Sequence, residues 1–283
     1  MRCFAPAKLN LALDLGPPRG DGYHAIRTVM QAVSLGDRLF VTPAPAFALT
    51  DPDVDGPDLV ERAARLFTDA TGVAARVRVE VRKRIPLGAG LGGGSSDAAA
   101  TLRALRELLL PTLPWPDLLA MARGLGSDVA FFLGESPLAL CEGRGEILTA
   151  LPPRAERYAV IAWPGVQLST ASVYARSAPG PGGAADEVVR GADTARNDLE
   201  AAALAACPEL ARMCREAREH GLRLKVTGSG SAAFALYRDP GAALAALRSL
   251  ERFAPRTAMC RTLAAWPRQV PRDAVAPGAG APA

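Results

Sequence analysis

From Lys8 the chain alternates. Leu9, Leu11, Leu13 and Leu15 fall on one side, and Lys8, Asn10 and Asp14 on the other. That period of two predicts a half-buried strand from whose polar face Lys8 and Asn10 project together. Gly20-Asp21-Gly22 reads as a turn, followed by a second extended stretch to about Val41. Asp58 can cap a helix through about Ala70, stopped by Gly72. Val77, Val79 and Val81 alternate with Arg78, Glu80 and Arg82, which predicts another strand. Helices are expected from Asp97 to Leu109 and from Pro116 to Arg123, with the apolar run Val129–Leu133 following Gly126-Ser127-Asp128. Beyond Pro152-Pro153 the pattern predicts a strand at Tyr158–Trp163, a short helix near Thr170–Arg176 and a loop at Pro179–Ala185. Helices at Asp198–Ala206 and Pro208–Glu219 precede a strand at Leu222–Val226. A strand at Ala232–Tyr237, a helix near Gly241–Leu250 and a strand near Thr257–Ala265 complete the unit.

Composition narrows the class. The chain has 283 residues, 49% apolar and 22% charged, enough for one large domain or two ordinary ones without disulfides or a structural metal. Its net charge of +4 and 5% aromatics lack the clustered basic face of a nucleic-acid binder. The basic cluster Arg76, Arg78, Arg82, Lys83 and Arg84 reads first as a solvated strand face, and second as an attractor of polyphosphate, since it leads into a glycine-rich loop. Five cysteines without CxxC spacing argue against a zinc site or a disulfide framework and fit a reducing compartment. Lys8 and Asn10 interrupt the N-terminal apolar stretch, no run is long enough to span a membrane, and a cytoplasmic protein is expected.

The strongest chemical signal is Pro86-Leu87-Gly88-Ala89-Gly90-Leu91-Gly92-Gly93-Gly94-Ser95-Ser96, five glycines in eleven residues between a strand and a helix. Glycine lets backbone amides approach an anion, and a helix start adds unpaired donors and the positive end of a dipole. The loop lacks the lysine of a P-loop. It matches GxGxxG, yet a helix stands where a dinucleotide-binding unit needs its second strand. No HRD or DFG marks a protein kinase.

The string PLGAGLGGGSSDAAA resembles the signature of the GHMP kinases, the family of galactokinase, homoserine kinase and mevalonate kinase. Pro6-Ala7-Lys8-Leu9-Asn10-Leu11 and Thr227-Gly228-Ser229-Gly230-Ser231 resemble its N- and C-terminal motifs, in the same order. Further strings resemble one branch, which phosphorylates a cytidine-diphosphate-linked methylerythritol of the non-mevalonate isoprenoid pathway. They are Gly20-Asp21-Gly22-Tyr23-His24, Leu35-Gly36-Asp37, Leu125–Gly134, Gly143–Glu146 and Asn197-Asp198-Leu199-Glu200. Two positions depart from it: Gly20 stands where the branch usually has proline, and Ala130 where it usually has a second.

The resemblance implies an α+β fold in two parts, the first like domain 2 of ribosomal protein S5 and the second ferredoxin-like, with the site in the cleft between them. The corresponding division is 1–153 and 154–267, and the Pro, Ala and Gly content of 268–283 predicts a disordered tail. It implies ATP and Mg2+ as cofactors, with ATP on Pro86–Ser96. Asp128 would be the catalytic base and Lys8 its cationic partner, keeping the carboxylate ionised. Asn10 would bind the polyol or the reacting phosphate. Tyr23 and Tyr174 would stack on cytosine, His24 would bond its edge, and Thr170 would hold the substrate's phosphates or sugar. Ser96 would help place magnesium, although no carboxylate cluster announces a metal site. The expected partners are small molecules only, in a monomer or homodimer. Other GHMP enzymes, such as homoserine kinase or mevalonate diphosphate decarboxylase, and a non-catalytic nucleotide-binding regulator remain alternatives.

Overall fold

The computed structural model describes residues 1–20, 24–50 and 58–267. Tyr23 and the expected C-terminal tail lie outside these residues. In chain order the first part runs β1 (Arg2–Pro18), β2 (His24–Pro43), β3 (Ala48–Thr50), α1 (Leu59–Thr71), β4 (Val77–Arg82), α2 (Gly93–Leu109), α3 (Trp115–Leu125), α4 (Ser127–Phe132), β5 (Leu138–Gly143) and β6 (Ile147–Ala150). The second runs β7 (Tyr158–Trp163), α5 (Thr170–Tyr174), α6 (Ala184–Val189), α7 (Glu200–Ala206), α8 (Pro208–Glu219), β8 (Lys225–Val226), β9 (Ala233–Tyr237), α9 (Pro240–Leu250) and β10 (Arg256–Arg261).

The first part is organised by β2, which pairs antiparallel with β1 over almost its whole length. Its other edge is shared, with 38–43 bonded to β4 and 26–31 to β5. The sheet order is β3-β4-β2-β5-β6, with β1 on β2. Helices α1–α4 cover one face and bury Phe67, Leu102, Leu105, Leu118 and Phe131 against Val77, Val79 and Val81. Asp58 caps α1, accepting the Val60 N–H at 2.7 Å, and Gly72 ends it in the left-handed conformation. The second part is the sheet β10-β7-β9-β8, whose outer face packs on α7, α8 and α9 around Val160, Leu210, Met213 and Leu250. Both parts mix helices with largely antiparallel strands, an α+β architecture. No helix among the described residues is long and apolar enough to cross a membrane.

Several sequence expectations change. β1 is buried on both faces rather than half-buried: Lys8, Asn10 and Asp14 are all inside. A bulge between Asn10 and Ala12 breaks the alternation, and the second part covers the polar face. Asp14 accepts the N–H groups of Ala184 and Ala185, both at 2.9 Å. It thereby starts α6 inside a segment whose Pro/Gly/Ala composition predicts only loop. Strands β5 and β6 have no counterpart among the predicted elements. Helix α2 begins at Gly93, four residues early, because Gly92 takes the left-handed turn that starts it.

Candidate active site

Between the two parts lies a cleft of about 820 Å³. Strands β1 and β2 supply Lys8, Asn10 and His24. The loop 86–95 forms one wall, Thr170 and Tyr174 of α5 with Ser229 form the opposite one, and Ser127, Asp128 and Arg144 close one end. Among the residues expected at the site, those described all line this cleft except Ser96.

The loop is seated from three sides. Beneath its entry, Asp37 of β2 accepts the N–H groups of Arg84 and Ile85, and Lys83 Nζ at 2.7 Å. Lys83 also reaches Asp97 of α2 at 2.6 Å. Burial pulls the Lys83 ammonium down, but Asp97 and Asp37 outweigh it and hold it above the ordinary lysine value. Lys83 therefore leaves the solvated strand face predicted for it, while Arg78 and Arg82 remain on that face. At the loop's middle, Ala89 accepts from the N–H of Ala232, and Leu91 from the N–H of Lys8. Gly90 is left-handed (φ 76°), and a Cβ there would lie 2.5 Å from the Thr227 carbonyl oxygen. Only glycine permits that contact between the two glycine motifs. At its exit, Gly92 begins α2 with no side-chain cap, so the first amides of α2 keep their donors for an anion.

Ser96 departs from expectation. It is the fourth residue of α2, its N–H returns to Gly92, and its side chain is buried behind the loop, not in the lining. Its Oγ has no hydrogen-bond partner. No metal-ligating cluster of three or more His, Cys, Asp or Glu side chains occurs among the described residues. Ser95, in the lining, fits an ion carried by nucleotide phosphates, and the described residues do not make a resident metal cage.

Lys8 sits between the loop, Gly228 and α4. Its Nζ donates to Asn10 Oδ1 at 2.6 Å and lies 3.7 Å from Asp128 Oδ2. The Lys8 side chain is 5% exposed and that of Asp128 31%, so the carboxylate faces open cleft. Asp128 does not cap α4: Gly126 holds that position, without a side-chain cap bond. Asn10 lies in the lining, but its Nδ2 donates to Thr28 Oγ1 and its Oδ1 serves Lys8. Its backbone N–H reaches Thr227 Oγ1, tying the two parts together.

Opposite the loop, His24 Nδ1 lies 3.1 Å from the Gly16 carbonyl oxygen. A carbonyl only accepts, so Nδ1 carries the proton and Nε2 of the neutral ring accepts. The ring is 6.1 Å from that of Tyr174, inclined 46°. Burial, with Asp128 adding to it, pushes the Tyr174 phenol up to about 12, so it stays neutral. Thr170 and Ser229 share a hydrogen bond of 2.9 Å. Sequence reasoning missed Ser229, Asn197 and the Lys83–Asp37–Asp97 group as parts of this arrangement. Asn197 donates to the Val226 and Gly228 carbonyls and so holds the second glycine motif in place. The motif strings contained Ser229, Asn197 and Asp37, but nothing in their spacing tells which touch.

Residues 58–135 match the GHMP kinases N terminal domain and 184–256 the GHMP kinases C terminal domain. A 4-diphosphocytidyl-2-C-methyl-D-erythritol kinase of Solibacter usitatus is 39% identical over 87% of this chain and 84% of that protein. One from Thermus thermophilus is 40% identical over 88% and 92%. A crystal structure of 4-(cytidine 5'-diphospho)-2C-methyl-D-erythritol kinase superposes with a TM-score of 0.79 at 37% identity, over 93% of this chain and 99% of that one. Homoserine kinase from Cytophaga hutchinsonii shares the fold, with a TM-score of 0.73 at 19% identity over 94% and 95% of the two chains. The chain belongs to the GHMP kinase family, in the branch of the 4-diphosphocytidyl-2-C-methyl-D-erythritol kinases, and is a small-molecule phosphotransferase.

Proposed function

We propose that the protein transfers the γ-phosphoryl group of ATP to the 2-hydroxyl of 4-diphosphocytidyl-2-C-methyl-D-erythritol, in the formation of isoprenoid precursors. The observation that carries this reading is the shared cleft. A half-exposed carboxylate paired with a buried lysine lies there between an uncapped helix start and a ring pair suited to a base.

The loop and the first amides of α2 hold the nucleotide's phosphates. A magnesium ion carried by those phosphates would supply charge neutralisation, with Ser95 in the cleft lining to help hold it. Asp128 takes the proton of the substrate hydroxyl as its oxygen bonds to the γ-phosphorus, and the bond from that phosphorus to the β–γ bridging oxygen breaks to release ADP. Lys8, 3.7 Å from the Asp128 carboxylate, stabilises charge on the phosphoryl oxygens in transit. Asn10 fixes the Lys8 ammonium and offers its second amide hydrogen to the reacting groups.

At the other end, Tyr174 stacks on the base. His24 Nε2, an acceptor, suits the amino group of cytosine and not the carbonyl oxygen of uracil. Thr170 and Ser229 face the sugar and phosphates. The likeness to homoserine kinase supports the fold alone.

A substrate panel tests the reading. With ATP, the cytidyl compound should be turned over, its uridine counterpart poorly, and homoserine and mevalonate not at all. Strong turnover of homoserine or mevalonate without turnover of the cytidyl compound overturns it.

A further inference from the structure

Resting on that reading, we propose that Trp266, on the segment that follows β10, is a positioning residue: it buttresses α4 and so sets where Asp128 stands against Lys8 and the glycine loop.

Helix α4 does not place its own carboxylate. It has six residues, and a helix so short gains little from its internal bonds, so packing decides where it sits. Asp128 stands near its first end, which opens onto the cleft. The other end is aromatic. Phe131 and Phe132 are both buried, and Phe132 lies one turn beyond Asp128 on the same face. A Cβ on Gly92 would lie 3.2 Å from Phe132 Cε2 and 3.1 Å from Lys8 Cγ. The Phe132 ring, the turn into α2 and Lys8 therefore meet at one point, and a shift of that ring moves Asp128 relative to both.

Trp266 closes over the aromatic end without lining the cleft. Its ring centroid is 5.6 Å from that of Phe131 and 6.3 Å from that of Phe132, inclined 70° and 61°, which is edge-to-face packing. Its Nε1–H donates to the Gly134 carbonyl at 2.8 Å, just past the last turn of α4. The indole holds the helix by packing and by a hydrogen bond at once.

The indole is itself anchored. After β10 the chain crosses from the second part onto β2, where Thr262 bridges to Val33. The Leu263 N–H donates to the Ala32 carbonyl at 2.9 Å, and the buried Gln31 side chain donates to the Leu263 carbonyl at 2.9 Å. Gln31 also donates to the Pro137 carbonyl, on the connection from α4 to β5. Ala32 is the residue paired with Lys8 across the β1–β2 ladder. The buttress of the carboxylate and the lysine beside it are thus referenced to one position of one strand.

The test joins hydrogen exchange to turnover, on the full chain. In Trp266→Ala the amides of 129–134 should exchange about tenfold faster or more, while β7 and β9 keep their protection. With ATP and the cytidyl compound, kcat should fall about tenfold and both KM values should stay within about twofold. Trp266→Phe keeps ring packing and should recover most of kcat. Adding Trp266→Ala to Asp128→Asn should slow turnover no further, because a displaced helix acts only through its carboxylate. Trp266→Leu fills more of the space, should show the same pattern at smaller amplitude, and serves where Trp266→Ala does not fold.

Unchanged exchange at 129–134 overturns the inference. So does faster exchange with kcat unchanged, which makes Trp266 a structural residue alone. Additive losses in the double variant, or a rise in KM in place of the fall in kcat, overturn it as well. All these results leave the substrate reading standing. If wild type does not turn over the cytidyl compound, that reading falls by itself. The exchange arm then decides the buttress: faster exchange at 129–134 supports it, and unchanged exchange overturns it.

Discussion

Two buried lysines flank the glycine loop, and they are held in opposite ways. Lys83 and Lys8 are each 5% exposed at the side chain. Lys83 lies between two carboxylates that are themselves sealed, Asp37 at 0% and Asp97 at 1%, at 2.7 and 2.6 Å. Lys8 has one amide oxygen at hydrogen-bond distance and one carboxylate at 3.7 Å that opens onto the cleft. A charge taken from water must be compensated. Lys83 is compensated entirely from within and leaves nothing for a ligand, whereas Lys8 and Asp128 keep capacity that a transferring phosphoryl group and a hydroxyl can use. Saturation of the partners, and not burial, separates the lysine that holds the loop from the one assigned to chemistry.

The sharpest way to break this contrast is Asp128→Asn. The shape is kept and the proton acceptor lost, so turnover should fall by about 10³-fold or more, while ATP still binds and thermal unfolding barely moves. Steady-state rates with a binding titration check it, and unchanged turnover would remove Asp128 from the mechanism. Next is Lys83→Met, which leaves Asp37 and Asp97 facing each other without their cation and should cost about 3–5 kcal/mol of stability. Urea titration measures it. A loss under about 1 kcal/mol would show that the group does not support the loop's base.

Lys8→Met should behave in the opposite sense. Turnover should fall roughly 10²-fold, with stability changed by less than about 1 kcal/mol, because no sealed carboxylate is stranded. A large loss of stability would erase the distinction drawn here.

The smallest effect concerns buried groups on which desolvation acts most strongly. Burial raises the thiols of Cys3 and Cys260 from 9.0 to about 12. The folded chain then keeps protons that the unfolded chain releases, so their contribution is full below pH 9 and is lost as pH rises toward 12. Stability should decline there by up to about 1 kcal/mol per pH unit per thiol. Urea midpoints at pH 8 and pH 10 check it, and Cys260→Ala should flatten the slope.

Much of the skeleton was legible in the sequence where local signals act alone. Asp58 and Gly72 bracket α1 because a cap and a left-handed stop are written in single residues. β7 was read at its full length because its apolar run is bounded by turns. Helix α6 was not legible, since the group that starts it, Asp14, lies 170 residues away in the chain. β1 appeared half-buried because its alternation is real, but a second layer covers the polar face.

The sequence by itself determined that the chain carries a phosphate-binding loop of the GHMP type, together with Lys8, His24 and Asp128 as its chemical candidates. Glycine spacing and polar residues within apolar strands are local properties and survive unfolding. Only the tertiary structure decided which lysine is sealed and which is open, and that Ser96 lies behind the loop while Arg144 lies in the cleft. It also set the His24 tautomer through Gly16. Each of these depends on partners contributed by distant parts of the chain, and desolvation and charge pairing exist only once those parts are packed.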